Sequence, residues 1–203
     1  MGAEQHDHAE AVFSSVCQRA HCGERRRKTL EEVIQLAVEL AREGREGRKI
    51  GTLFVVGDAE EVLTRSRPLI LDPLYGHPAS ALDVEDPAFR ETVKELAQLD
   101  GAFVVDDEGV FVSAARFVDV DLGADFLPGL GTRHAAASSI SKATRATAVV
   151  VSQSSVVRVF AAGELRAEII PELFLMSKQH LLTPSAEVRQ LPDIGLTIAV
   201  AGD

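Results

Sequence analysis

Apolar positions at helical spacing dominate the first quarter of the chain. Over residues 9–41 they recur every three or four positions opposite a glutamate-rich face, which predicts an amphipathic helix. We expect a polar, basic break at residues 23–28, after which Thr29 and Glu32 form a capping box. Residues 42–49 end the helix with glycines and charged side chains. Both basic runs are interpreted as solvated surface.

A series of strands and a second helix follow. Residues 50–57 form a nearly continuous apolar run, which is typical of a buried strand. Residues 87–99 place apolar side chains on one face behind a proline, which predicts a helix after a proline-rich loop over residues 72–87. Residues 102–105 and 110–114 are predicted as two short strands paired across a polar turn, and residues 148–152 and 156–160 as a second such pair. Further short strands are predicted over residues 166–170 and 197–200. The pattern favours an α+β (α/β) fold, with a central mixed β-sheet surrounded by helices and an N-terminal helical segment.

Composition narrows the class of protein. The chain has 203 residues, 46% of them hydrophobic, which suits one generous globular domain. It contains no apolar run of the ~20 residues that a membrane span needs, and its polar start does not resemble a signal peptide. Cys17 and Cys22 cannot build a disulfide framework, so we expect a cytoplasmic protein. A net charge of -10 argues against broad binding to nucleic acid or to anionic lipid, although one phosphate site needs only a few local donors.

The first candidate for chemistry is Asp100, which lies with Gly101 where the predicted helix meets a strand. A carboxylate there can present its oxygens to a metal or a hydroxyl, while the glycine lets a ligand approach the backbone. The alternative is an ordinary helix-to-strand turn.

The second candidate is the run Gly131-Thr132-Arg133-His134, which precedes a stretch of small residues with helical character. Amide groups at the start of a helix attract anions, and the guanidinium, hydroxyl and imidazole add donors. This order suits a phosphate, although it matches neither a Walker A loop nor a dinucleotide fingerprint. The alternative is a capping threonine followed by a surface arginine and histidine. A zinc site at Cys17, Cys22 and His21, or at His6 and His8, is a weaker candidate because the spacing is poor.

Together these motifs resemble the signature of the diadenylate cyclase (DAC) family. The resemblance extends over about residues 50–173. It includes Gly51-Thr-Leu-Phe-Val-Val-Gly57, Asp100-Gly-Ala102, Gly131-Thr-Arg-His134 and Val149-Val-Val-Ser152. The alanine-rich segment after His134 is similar to the archaeal-type branch. The resemblance divides the chain into an N-terminal helical segment (1–48), a diadenylate cyclase domain (49–175) and a C-terminal extension (176–203).

The resemblance implies an activity and a set of site residues. Such enzymes condense two ATP into cyclic di-AMP and two pyrophosphates with Mg²⁺ or Mn²⁺, across a face-to-face pair of subunits. A homodimer or a larger homo-oligomer is therefore expected. Asp100 would bind the metal and help to activate the 3′-hydroxyl. The remaining ATP-binding positions would be Gly101, Ala102, Gly131, Thr132, Arg133, His134 and Ser152.

Two departures from the family pattern keep a second interpretation open. Ala135 stands where many bacterial members carry another arginine, and Gln153 and Ser154 replace acidic residues. Arg158 could compensate for the missing cation. A non-catalytic adenine-nucleotide-binding sensor with the same fold is therefore an alternative to the enzyme, and a domain that binds no nucleotide is a third, weaker one.

Overall fold

A computed structural model describes residues 23–120, 131–172, 174, 187–191 and 196–200. Its helices are α1 (Glu24–Glu43), α2 (Ala59–Thr64), α3 (Pro87–Leu96) and α4 (Thr132–Ala143). Its strands are β1 (Thr52–Val56), β2 (Ser66–Pro68), β3 (Ala102–Val105), β4 (Phe111–Val118), β5 (Thr147–Val151), β6 (Val157–Ala161), β7 (Glu164–Ile169), β8 (Glu187–Leu191) and β9 (Leu196–Val200). A single 3₁₀ turn, Ala79–Ala81, lies in the predicted loop.

The first seven strands form one mixed sheet in the order β2-β4-β3-β1-β5-β6-β7. β1 runs parallel to β3, and every other pair in this sheet is antiparallel. Helices α1 and α3 cover one face with a core that includes Phe54, Phe103 and Phe111, and α2 and α4 cover the other face. The predicted α+β fold with a central mixed sheet is confirmed. Separately, β8 pairs with β9.

The start of α1 differs from the prediction. The helix begins at Glu24 and continues through the residues predicted as a basic break, so the capping box at Thr29 and Glu32 is wrong. Thr29 lies inside the helix and its hydroxyl donates to the carbonyl of Asp107 at 3.0 Å. Arg26 is buried rather than solvated, because its guanidinium donates to the carbonyl oxygens of Val56 and Arg145.

One helix and two strands were not predicted, because they are short or lack a clear pattern of apolar and polar residues. α2 and β2 together span fewer than a dozen residues and lack a clear period, and β8 contains mixed polar and apolar residues. β4 also continues past its predicted end at 114. It does so because it pairs with β3 on one side and β2 on the other, where Pro68 lies opposite Arg116. Pairing on both edges stabilises residues of weak strand propensity.

An ion-pair network joins α1 to α3. Lys94, which is buried, contacts Glu39 at 3.0 Å, Glu91 at 2.8 Å and Glu43 at 3.4 Å. Hydrogen bonds from Lys94 and Arg45 hold the pKa of Glu91 down at about 2. Burial alone would raise the pKa of Glu39, but the hydrogen bond from Lys94 and the charges of Arg90 and Lys94 outweigh it and lower that pKa. Buried Lys94 therefore depends on carboxylates that must stay ionised.

This network predicts a loss of stability in acid. A carboxylate whose folded pKa is lowered stabilises the fold fully above its ordinary value of 4.5, and this contribution is lost as the pH falls toward about 2. We expect Lys94→Met to cost about 1–3 kcal/mol at pH 7, less than a fully buried pair because its partners reach solvent. The variant should also show a shallower dependence on pH in urea unfolding between pH 7 and pH 3. Lys28→Met, which removes an exposed pair with Glu85, is the matched control, and equal pH slopes for wild type and Lys94→Met would contradict the prediction.

Among the helices that the structure describes, none combines the length and the apolar character needed to cross a membrane. Cys17, Cys22 and the N-terminal histidines lie outside the described residues, as does the first part of the predicted helix over residues 9–41. The division into regions at residues 48 and 175 stays a prediction, although the apolar face of α1 packs in the same core as the sheet.

Candidate active site

The predicted site residues meet at one edge of the sheet. Because β1 is parallel to β3 and antiparallel to β5, the starts of β1 and β3 lie beside the end of β5. Leu53 is opposite Ala102 and Thr52 is opposite Val151. Asp100 and Gly51 precede their strands, and Ser152 follows its strand, at this shared edge. Helix α4 packs on the adjoining face, so that its first turn also belongs to the site.

Asp100 and Arg133 form the closest contact between the two motifs. Arg133 Nη2 lies 3.5 Å from Asp100 Oδ1, although the residues are 33 positions apart in sequence. The Asp100 side chain is 90% exposed, so a carboxylate at the sheet edge faces solvent beside one guanidinium. An exposed pair at this distance is weak and leaves both groups available to a ligand.

Gly51 makes room for Arg133. A Cβ atom at Gly51 would lie 2.9 Å from Arg133 Nη1 and 3.3 Å from Gln153 Cγ. The guanidinium therefore rests against the backbone at the start of β1, with Gln153 on the same side. Any larger residue at position 51 would displace Arg133, so Gly51 positions the cation next to Asp100.

Gly101 is required by a close approach of the backbone of β4. Its φ is +108°, and a Cβ atom there would lie 2.6 Å from the carbonyl carbon of Ala115 and 2.7 Å from Arg116 N. β4 bulges at this point, where Ala115 has a φ of +52°. The glycine thus holds the turn that presents Asp100. Ala102 is buried in β3, and nucleotide contacts of Gly101 and Ala102 stay predictions.

Helix α4 begins beside a glycine. Gly131 is the N-cap, and among the described residues no side chain caps the helix, so the interpretation of Thr132 as a capping threonine is wrong. Thr132 is the first helical residue and is exposed. The first amides of a helix lack intrahelical acceptors and carry the positive end of its dipole. A helix start of this kind is suited to binding an anion.

His134 is turned into the protein and contacts Arg158. Arg158 Nη1 lies 3.2 Å from His134 Nε2. Because a guanidinium only donates, Nε2 accepts, and we assign the proton to Nδ1, which is buried without a partner among the described residues. Burial, then the charges of Arg158 and Arg133, lower the pKa of His134 below its ordinary value. The imidazole is therefore neutral near pH 7.

Ser152 closes a local turn. Its hydroxyl lies 2.9 Å from that of Ser154 and accepts from Ser154 N at 3.2 Å. Its backbone amide donates to the carbonyl of Val156, which joins the ends of β5 and β6. The hydroxyl lies at the same sheet edge as Asp100, and its role in ATP binding stays a prediction.

Among the described residues, the exposed carboxylate of Asp100 is the candidate ligand that this edge offers to a divalent metal, and its metal-binding role stays a prediction. In the part of the chain that the structure describes, no three His, Cys, Asp or Glu side chains are grouped to hold a metal. Mg²⁺ is commonly held by one or two carboxylates together with substrate phosphates and water. An exposed carboxylate beside the start of a helix fits that arrangement.

Two residues of this edge were given no fixed role from the sequence. Gly51 lay within a matched motif, and its place directly before a buried strand was the available signal. Arg158 was raised as a possible compensating cation, and the signal is a charged residue within the apolar run of β6. Neither signal indicates which side chain Gly51 or Arg158 contacts in the structure.

The comparisons with known proteins agree with this geometry. A nucleotide-binding family model, described as "DisA bacterial checkpoint controller nucleotide-binding" (DAC), matches residues 39–165. The chain is 50% identical over 149 residues to a diadenylate cyclase of Methanocaldococcus jannaschii, and 42% identical over 147 residues to one of Haloferax volcanii. These alignments cover 73% and 71% of this chain, and 47% and 54% of the relatives, so the chain spans about half of their length.

The chain belongs to the diadenylate cyclase (DAC) family. The resemblance inferred from the motifs is thereby confirmed, and the two archaeal relatives support the archaeal-type branch.

Two crystal structures share the fold. A hypothetical membrane spanning protein from Bacillus cereus has a TM-score of 0.52 at 22% identity, with 68% of this chain and 62% of that chain covered. A double mutant of DacA from Staphylococcus aureus has a TM-score of 0.50 at 20% identity, with coverage of 77% and 97%. At these identities the likeness concerns the fold alone.

Proposed function

We propose that this protein is a diadenylate cyclase that condenses two ATP into cyclic di-AMP and two pyrophosphates. The observation that carries the proposal is the meeting of the exposed Asp100 carboxylate with Arg133 at the first turn of α4. Its membership of the DAC family and its identity to two relatives named diadenylate cyclase support the same activity.

Each half of the reaction is a nucleotidyl transfer. The 3′-oxygen of one ATP attacks the α-phosphorus of the other, an O–P bond forms, and the bond to pyrophosphate breaks. Asp100 receives or orients the proton that leaves the 3′-hydroxyl. A bound Mg²⁺ or Mn²⁺ would neutralise phosphate charge and favour the ionised hydroxyl, with Asp100 as its protein ligand. Repeating the transfer in the opposite direction closes the ring.

Arg133 and the start of α4 bind the triphosphate. A chain of net charge -10 repels ATP at long range, so affinity must come from a local group of donors. Arg133 provides a planar fork, and the amides at the start of α4 add uncharged donors. In-line positioning and charge neutralisation are the main demands of phosphoryl transfer, and this edge is suited to both.

Two subunits are needed because one such edge holds one ATP. We therefore propose a homodimer or larger homo-oligomer in which two sites face each other, acting in the cytoplasm on ATP, with no nucleic acid or membrane as partner. The oligomer is a requirement of the reaction, since each 3′-hydroxyl must reach the α-phosphate held by the opposite subunit.

The direct test is incubation of the purified protein with ATP and either Mn²⁺ or Mg²⁺, followed by mass analysis for cyclic di-AMP. Product formation with both pyrophosphates released supports the enzyme. Tight ATP binding without product would favour the sensor, an alternative motivated by Ala135 and Gln153. Absence of both binding and product would contradict any nucleotide role.

Replacing Arg133 with alanine should weaken the binding of ATP more than that of AMP. Charge-assisted hydrogen bonds contribute about 1.5–3 kcal/mol each, so the affinity for ATP should fall about tenfold to a hundredfold. AMP lacks the outer phosphates and should lose much less. Calorimetry with both nucleotides measures the difference, and an equal loss for both would place Arg133 at the adenosine instead.

A further inference from the structure

Arg158 is a charged residue on a buried strand. It lies on β6 opposite Val150 of β5, and on the other side it is paired with Glu168 of β7. Val150 and Phe160 belong to the core beneath α4, so alternation along the strand directs Arg158 to that same face. The Arg158 side chain is only 17% exposed. Burying a cation in such a position costs free energy unless the charge is paired and hydrogen-bonded.

The guanidinium of Arg158 is directed to the first turn of α4. Nε contacts Glu168, and Nη1 lies 3.2 Å from His134 Nε2. Among the described residues Nη2 has no hydrogen-bond acceptor, and Arg133 likewise keeps donors beyond its contact with Asp100. Arg116, at the same sheet edge, differs because it donates to Ser66 and to the carbonyl of Leu63.

Positive charge is therefore concentrated at one helix start in an acidic protein. Arg133 and Arg158 approach His134 from α4 and β6, and the dipole of α4 adds to them. Glu168, which is about half exposed, contacts Arg158 Nε directly and offsets part of its charge, so the surplus of positive charge comes from Arg133 and the helix dipole together with Arg158. Like charges gathered in this way destabilise the free protein, and a bound anion relieves the repulsion.

We propose that Arg158 is a phosphate-binding residue of the nucleotide site, presented by β6 and directed at the outer phosphates of a nucleoside triphosphate. This inference rests on the proposed function, because it takes the triphosphate to lie against the first turn of α4. Arg158 supplies a second guanidinium beside Arg133, and neutral His134 keeps it in place by accepting a hydrogen bond. Position 135, an alanine, supplies no charge to this turn.

The test compares Arg158→Gln with Glu168→Gln, since both break the same ion pair. If Arg158 only joins β6 to β7, the two variants should behave alike. If it binds phosphate, Arg158→Gln should weaken binding of 3′-deoxy-ATP, which cannot react, by about tenfold or more. Binding of 3′-deoxy-AMP should change less than about twofold. Glu168→Gln removes a negative charge and should leave triphosphate binding unweakened.

Arg166→Gln is the matched control. Arg166 lies on β7, its side chain is also 17% exposed, and its partners are Glu164 and the carbonyl of Ala161, at the end of β6 opposite Arg158. Its loss should leave the ratio of triphosphate to monophosphate affinity unchanged. Equal effects of Arg158→Gln and Glu168→Gln, or of Arg158→Gln and Arg166→Gln, would overturn the proposal.

Folding and function are separated by two further measurements. Thermal unfolding establishes that each variant is folded. If Arg158→Gln is not, Arg158→Lys takes its place and should still weaken triphosphate binding more than monophosphate binding, and an unchanged ratio would overturn the proposal. Cyclic di-AMP formation by the wild type is measured independently. A wild type that binds 3′-deoxy-ATP but makes no product would contradict the proposed cyclase activity. In that case the comparison of nucleotide affinities would still decide whether Arg158 binds phosphate.

Discussion

Replacing Asp100 with asparagine is expected to abolish cyclic di-AMP formation while the protein remains folded and still binds ATP. Asparagine keeps the size of the side chain but cannot accept a proton or attract a divalent cation as a carboxylate does. Asp100 is 90% exposed, and among the described residues its side chain pairs only weakly, with Arg133, so little stability depends on its charge. We expect the rate to fall by about a hundredfold or more, the size of effect seen when a transition-state contact is removed.

Glu108→Gln is the control for this substitution. Glu108 is exposed in the turn between β3 and β4, at the end of the sheet opposite Asp100, so its loss changes the net charge by the same amount without touching the site. Product formation is followed by mass, and ATP binding by calorimetry. An Asp100→Asn protein that turns over near the wild-type rate would show that another group activates the 3′-hydroxyl.

The parts of the fold that could be predicted are those formed by neighbours in sequence. β3 with β4 and β5 with β6 were predicted as pairs because a short polar turn separates two apolar runs in each case. The central pairings of β1 with β3 and with β5 join distant segments, and no local pattern specifies them. The sheet order therefore depends on long-range packing that periodicity does not contain.

The start of α1 was predicted wrongly because it, too, depends on contacts with a distant part of the chain. Residues 25–28 are basic, and considered alone they suggest a solvated break. Arg26 is buried because the end of β1 offers it the carbonyl of Val56, and Gly57, with a φ of +81°, leaves room for its guanidinium. The acceptor lies 30 residues away, so the sequence around Arg26 could not reveal it.

The sequence identified the two motifs of the candidate site, but it could not show how they are arranged in space. Asp100 and Arg133 were each chosen for their local setting, and the structure brings them to 3.5 Å. The neighbours of His134 could not be predicted, because they depend on β6 lying beside β5 under α4. Glycine at position 51 was visible, but the reason for it, the guanidinium of Arg133, was not.

Mixing wild-type chains with Asp100→Asn chains should lower activity as the square of the wild-type fraction. In the proposed mechanism, closing the ring needs two transfers, and each uses the Asp100 of the subunit whose ATP supplies the attacking hydroxyl. A mixed pair can complete one transfer, which releases one pyrophosphate and leaves a linear dinucleotide with a triphosphate end. At equal amounts of freely exchanging chains, cyclic product should fall to about a quarter of the wild-type rate, since about a quarter of random pairs are fully wild type.

Co-expression of the two chains under different affinity tags forms the mixed pairs, and mass analysis separates linear from cyclic product. Wild type co-expressed with Glu108→Gln controls for dilution and should show no loss, because both chains keep Asp100. A quarter of the activity together with accumulation of the linear product supports catalysis across two subunits. A fall to half, with no linear product, would mean that each wild-type subunit completes both bonds by itself, since activity would then follow the number of intact chains. The face-to-face arrangement would in that case be abandoned, whereas the assignment of Asp100 would stand.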